Sequence, residues 1–254
     1  MPALTRSIII RADDAGSAQG ANLAIRSGIR AGAITAVGFM VPGPAFPHAV
    51  EVLRDLLGEV DIGLHATVNA EWDEIRWGPL LGAEQVPSLI DEQGAFTRTT
   101  AILRHQFVRS ELLAEISAQL SALRSSGLSP RYLDTHMGFD WLPGVEEALE
   151  NLAATEGLLF VPRTPPVLPE SLSATDGIMS SWLSRIAAVP EGKYQLVTHP
   201  GSDTSDMSVF YHAGLDPGQI ARDRAAETAA LCNPRFLAGL AGAGARLVRF
   251  TSPN

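Results

Sequence analysis

Ser7-Ile8-Ile9-Ile10 is the first apolar run of the chain, and two adjacent carboxylates, Asp13-Asp14, stand just beyond it. A strand buried on both faces reads as a continuous run of this kind, because helices cover both sides of a parallel sheet. α/β barrels and open α/β sheets carry their catalytic groups at the carboxyl ends of such strands. Three more polar clusters close apolar runs in the same way: Gly63-Leu64-His65, Asp134-Thr135-His136 and Thr198-His199-Pro200-Gly201. Four such ends bearing acidic and imidazole side chains, spread over most of the chain, predict a metal-centred active site assembled by the fold.

Outward from that first run, apolar runs alternate with helix-like stretches. Strands are expected over Ser7–Ile10, Ala33–Val41, Val60–Leu64, Arg131–Leu133, Leu158–Val161, Tyr194–Thr198 and Arg246–Phe250. Apolar residues at helical spacing predict helices over Ala21–Ala31 (Leu23, Ala24, Ile29), Pro47–Leu57, Ser110–Ser126, Gly144–Ala154 and Asp216 to about Leu231. In the third of these Leu112, Leu113, Ile116, Leu120 and Leu123 share a face, and Gly127 suits the C-terminal cap. Asp216 reads as the N-cap of the last, with Pro217 at its first position. The stretch 67–100 has no clean period and reads as a long functional connection. Pro162–Ala174, rich in Pro and Ser, reads as a loop. Strands alternating with helices imply a mainly parallel α/β fold. The expectation is a single domain over 1–254: a barrel-like (β/α) fold of distorted TIM-barrel type with about seven mainly parallel strands.

Composition narrows the function. The chain of 254 residues is 46% apolar and 19% charged, with a formal net charge of -9. That charge argues against nucleic acid and anionic membrane surfaces as partners. No signal-peptide pattern is visible at the N-terminus, and no apolar run approaches the roughly 18 residues of a membrane span. Cys232 is the only cysteine, so no intramolecular disulfide can form. These features predict a cytoplasmic location. Cys232 has no flanking His or basic motif and reads as a structural or surface residue. Gly-Ala-Gly-Ala at 242–245 precedes a strand instead of following one, so it is no dinucleotide fingerprint.

The strand-end residues suggest definite chemistry. Two His and one Asp, with positions left open for water, form a familiar mononuclear metal set. His65 and His136 supply the imidazoles. In an extended chain adjacent side chains point to opposite sides, but at a strand end one of Asp13 and Asp14 could ligate while the other acts as a base. His199, fixed by the turn Pro200-Gly201, could protonate a leaving group. Arg163 could pair with a catalytic carboxylate and keep it ionised. Asn22 could hold a substrate or a ligand carboxylate. Trp72 and Trp77 could stack on a sugar face or anchor the loop by burial. His48, His105 and His212 lack comparable context and read as surface or structural residues. Each cluster alone has a structural reading, as a cap or a turn. Only their joint occurrence carries the functional one.

The order and character of the clusters resemble the YdjC-like carbohydrate deacetylase family. The resemblance runs through Ala12-Asp13-Asp14-Ala15-Gly16, Asn22 and Ala24-Ile25, Gly63-Leu64-His65, Glu115 and Gln119, Asp134-Thr135-His136, His199-Pro200-Gly201, and Arg224 with Glu227. It covers nearly the whole chain. It implies a barrel-like α/β fold, one divalent metal ion (zinc or magnesium), and hydrolysis of an N-acetyl (acyl) group on a saccharide or related small molecule. By position, Asp14, His65 and His136 would bind the metal. Asp13 would be the base on metal-bound water, and His199 would protonate the departing amine. Family members of this size commonly pair, so the resemblance allows a homodimer, while the sequence itself does not fix the oligomeric state.

Two departures bear on substrate. The family segment continues with further histidines where this chain reads Met137-Gly138-Phe139-Asp140, and Ala15 stands where a Phe is usual. The ligand His136 is kept, so metal binding is expected to persist while the acylated substrate differs. Two alternatives stay open. One is another metal-dependent amide, ester or phosphodiester hydrolase on the same fold. The other is a sugar-binding protein without catalysis, which would need neither Asp13 nor His199.

Overall fold

The computed structural model describes residues 5–169 and 177–252. The strands are β1 (Arg6–Ala15), β2 (Ala36–Phe39), β3 (Asp61–Ala66), β4 (Tyr132–Thr135), β5 (Leu159–Phe160), β6 (Gly192–Thr198) and β7 (Ala245–Leu247). They form one sheet in the order β5-β4-β3-β2-β1-β6, with β7 beside β1, and every pairing is parallel. Beyond β5, Pro166 and Leu168 exchange backbone hydrogen bonds with Gln195 of β6, at 3.0 and 2.9 Å. That link joins the two ends of the sheet into a distorted barrel. Each expected strand is present, most with shifted ends.

The helices are α1 (Gln19–Arg30), α2 (Phe46–Leu53), α3 (Thr100–Leu103), α4 (Arg109–Ser125), α5 (Val145–Thr155), α6 (Ile178–Ala188), α7 (Gln219–Leu231) and α8 (Pro234–Gly242). In α4 the stripe Leu112, Ile116, Leu120 and Leu123 is buried against the sheet, while Leu113 is only half-buried. Each fully buried Leu or Ile side chain is worth roughly 1.5–3 kcal/mol over its exposed state. Gly127, at φ +88°, then ends the helix in the left-handed conformation expected of a C-cap glycine.

Several expectations need correction. Leu23 lies on the solvent side of α1, whose buried stripe is Ala21, Ala24, Ile25, Gly28 and Ile29. Helix α7 begins at Gln219 after Gly218 at φ 70°, so Asp216 and Pro217 form the preceding turn and not its cap. Helices α3, α6 and α8 had no sequence reading. The expected loop Pro162–Ala174 is irregular as far as Pro169, and its remainder lies outside the described residues.

The alternation of strand side chains sorts the interior. Ile8 and Ile10 of β1 pack outward under the helices. Ile9 packs inward with Ala36, Tyr132, Val161 and Phe250, filling one end of the barrel. Gly63 makes room for that layer, since a Cβ there would meet the Tyr132 ring at 2.1 Å. Arg11 and Asp13 continue the inward face of β1 toward its carboxyl end. There the interior changes from apolar to charged.

Candidate metal centre

Asp13 and Asp14 both reach the barrel interior because β1 does not stay regular. Its pairing with β2 slips between Ala12 and Ala15, and Asp14 takes φ 65°, the left-handed region that non-glycine residues seldom occupy. The bulge turns a side chain that strict alternation would send outward. Asn22 holds the turn that follows: its Oδ1 accepts from Gly16 N at 2.8 Å and its Nδ2 donates to Ala45 O at 3.1 Å. Asn22 is fully buried and does not line the cavity. The expectation that it holds a substrate or a ligand carboxylate is therefore corrected, since backbone groups already occupy its amide.

Asp14, His65 and His136 converge. Asp14 Oδ1 lies 3.5 Å from His65 Nε2 and 3.4 Å from His136 Nδ1, and the two ring nitrogens are 3.2 Å apart. A tetrahedral site with bonds of about 2.1 Å has edges of about 3.4 Å. The three donors thus fit one face of a cation's shell, and Asp14 Oδ1 is buried without a hydrogen-bond donor of its own. The outer atoms are tied down. Asp14 Oδ2 accepts from Arg224 Nη2 at 2.7 Å, His65 Nδ1 donates to Asp134 Oδ2 at 2.8 Å, and His136 Nε2 lies 3.1 Å from Glu71 Oε2. Carboxylates behind ligating imidazoles fix the ring orientation and the tautomer.

The electrostatics follow from this arrangement. Burial alone would raise the Asp14 carboxyl, but Arg224 and the two imidazoles hold it well below the usual carboxylate range. Burial opposes charge on His136, yet Glu71 and Asp14 push it up to about 9. His65 is likewise raised against burial, by Asp134 and Asp13. A cation entering here must displace protons from both imidazoles. Asp13 is pushed above its ordinary value, chiefly by burial, with Arg11 opposing. Burial pushes the His199 imidazole below its ordinary value.

These groups lie in a cavity of about 970 Å³ that is also lined by Glu71, Trp72, Met137, Arg163, His199 and His212. His199 follows β6, and its backbone N–H donates to Glu227 Oε2 at 2.6 Å. Arg163 is more than half exposed and meets Asp140 at 2.6 Å and Glu146 at 2.9 Å, so its expected pairing with a catalytic carboxylate is corrected. Arg11, two residues before Asp13 on the same face, takes that place, with Nη2 at 2.7 Å from Asp13 Oδ2. Trp77 does not line the cavity. It donates to Asn69 O at 2.7 Å and sets its ring edgewise at 6.2 Å from His136, which corrects its sugar-stacking role. Trp72 reaches the cavity wall, but His212 lies nearly parallel over it at 5.9 Å. His212, read from sequence as surface or structural, is thus part of the wall.

Arg11 and Glu71 escaped the sequence reading for different reasons. Arg11 was legible from the period of two along β1. Glu71 sits in the stretch without a period, and nothing local marks it. Glu115 and Gln119, carried by the resemblance, serve that same stretch. Glu115 accepts from Leu80 N and Leu81 N, and Gln119 bonds both backbone groups of Thr67, two residues past His65.

The profile of a family described as YdjC-like protein matches residues 7–242. A carbohydrate deacetylase of Geobacillus stearothermophilus is 27% identical over 97% of this chain and 98% of its own. A carbohydrate deacetylase 1 of Listeria innocua is 27% identical over 76% of this chain and 80% of its own. Among solved structures, a protein of Enterococcus faecalis V583 named for cellobiose-phosphate cleavage superposes with a TM-score of 0.82 at 19% identity, over 96% of this chain and 97% of its own. That last likeness concerns the fold alone.

Proposed function

The chain belongs to the YdjC-like protein family, and on that premise we propose that it is a metal-dependent hydrolase that removes an N-acetyl group from a small saccharide. The observation that carries this reading is the convergence of Asp14, His65 and His136 at 3.2–3.5 Å on the wall of a cavity that also holds Asp13 and His199. Two imidazoles and a carboxylate favour zinc, whereas magnesium prefers an all-oxygen shell. When bound, the cation would polarise the acyl carbonyl and lower the pKa of water beside it.

The protein's own groups carry the proton transfers. Asp13 has one oxygen on Arg11 and the other, Oδ1, without a donor. That free oxygen takes the proton of the attacking water as its oxygen bonds to the acyl carbon. His199 in its protonated form gives a proton to the nitrogen as the C–N bond breaks, releasing acetate and a free amine, and burial, which favours the neutral imidazole, eases that loss. The cavity lies within the roughly 300–1,000 Å³ of small-molecule sites, with room for a short saccharide.

Metal content and acetate release test the reading together. Wild type should carry near one zinc per chain and release acetate from N-acetylated saccharides, and His136→Ala should lose both. Wild type that takes up no metal from zinc, magnesium, manganese or cobalt would defeat the reading. A metal-loaded protein that binds acetylated sugar without releasing acetate would make it a binding protein.

A further inference from the structure

Two sets of donors overlap at His65: Asp14–His65–His136 and Asp13–His65–Asp134. The second set already holds a cation, the guanidinium of Arg11. Arg11 Nη2 lies 2.7 Å from Asp13 Oδ2 and 3.0 Å from Asp134 Oδ2, and Nε donates to Asp13 Oδ2 at 3.1 Å. Nη1 donates to Gln195 Oε1 at 3.2 Å, and the Gln195 amide in turn donates to Val161 O and Pro165 O. All three guanidinium nitrogens are therefore engaged, by groups on β1, β4 and β6. Arg11, Asp13 and Asp134 are buried at the base of the cavity, so bulk water competes little for their ion pairs.

His65 meets the two sets through different ring nitrogens. Its Nδ1 bonds Asp134, which leaves Nε2 for the side where Asp14 and His136 stand. We propose that Arg11 is a positioning residue that selects between the two sets: its guanidinium occupies the Asp13–Asp134 pair, keeps Asp13 outside the cation's shell, and reserves Asp14, His65 and His136 as the cation site. The inference rests on the reading of Asp13 as base and not ligand. Without Arg11, two buried carboxylates would face each other uncompensated, the situation a divalent cation relieves.

The test reads where zinc sits. Zinc-soaked crystals of the wild type should give one anomalous peak, at Asp14, His65 and His136, with Arg11 still on Asp13 and Asp134. In solution His136→Ala should be zinc-free, and adding Arg11→Met to it should restore about one equivalent with a single imidazole by X-ray absorption. Adding Arg11→Lys instead, which keeps the charge, should leave His136→Ala zinc-free. A zinc ion coordinated by Asp13 in the wild type would overturn the proposal while leaving the metal-dependent reading intact. So would an Arg11→Met/His136→Ala protein that folds like the wild type by circular dichroism and stays zinc-free. If that variant fails to fold, the wild-type crystals decide. A wild type that binds no zinc would overturn both readings.

Discussion

Asp13 and Asp14 are the same residue type, adjacent in sequence and equally buried, yet they are assigned different tasks. The difference lies in their partners. Asp14 Oδ1 faces two imidazoles, whereas Asp13 Oδ2 is bound by Arg11 and its Oδ1 has no donor. Asp13→Asn should therefore keep its metal and lose roughly 10²–10⁴-fold in kcat, the range for removing a general base. Full turnover in that variant, with metal content measured on the same sample, would sink the assignment. Glu71 acts one bond further out, through His136 Nε2. Glu71→Gln should weaken zinc binding about 10–100-fold in a chelator competition, as loss of such a carboxylate does elsewhere. An unchanged affinity would mean that the ring is held by packing against Trp77 instead.

At the scale of the element, β1 does most to build the site. Its inward residues pass from Ile9 through Arg11 to Asp13, and its bulge brings in Asp14 as well. The neighbouring strands must leave space for this charged layer and for the apolar layer below it, and they do so with glycine. A Cβ on Gly38 would meet Asp13 Oδ1 at 2.8 Å, and one on Gly63 would enter the Tyr132 ring. Because that ring is fully buried, Gly63→Ala should destabilise the fold by about 1–3 kcal/mol, the usual cost of overpacking. A urea denaturation midpoint equal to that of wild type would show that the ring moves aside freely. The connection after β3 shows the opposite economy. It has no period of its own, and Glu115 and Gln119 of α4 hold its backbone in place.

Over the whole molecule, parts remote in sequence meet at the carboxyl ends of the strands. Glu227 of α7 accepts the backbone N–H of His199 after β6, and burial pushes its carboxyl up to about 7 despite that bond and the nearby Arg224. The ordinary value is 4.5, so between about 4.5 and about 7 the folded chain holds a proton that the unfolded chain releases. Stability linked to Glu227 is therefore fully present at low pH and lost as pH rises through that window. Glu227→Gln should escape the loss, so its melting temperature should gain on the wild type between pH 5 and pH 7.5. Parallel melting curves across that range would show that Glu227 ionises as freely in the folded chain as in the unfolded one. Among the described residues no helix is long and apolar enough to cross a membrane.

Read alone, the sequence determined the parallel α/β plan, because strands covered on both faces must be continuous apolar runs and helices must repeat at their own spacing. It also determined which strand ends carry chemistry, since acid and imidazole at the close of an apolar run are conspicuous. Direction was left to the tertiary structure. Whether Arg11 or Arg163 meets Asp13, whether Trp77 faces sugar or His136, and whether Asn22 binds a ligand or a turn all depend on where side chains point after the barrel closes. A bulge, a left-handed residue and contacts between separate segments decide those directions, and of the three only the Arg11 pairing leaves a local pattern, the period of two along β1. The fold was legible because burial writes a period into the sequence. The rest of the pairing within the site was not, because it is made across the barrel.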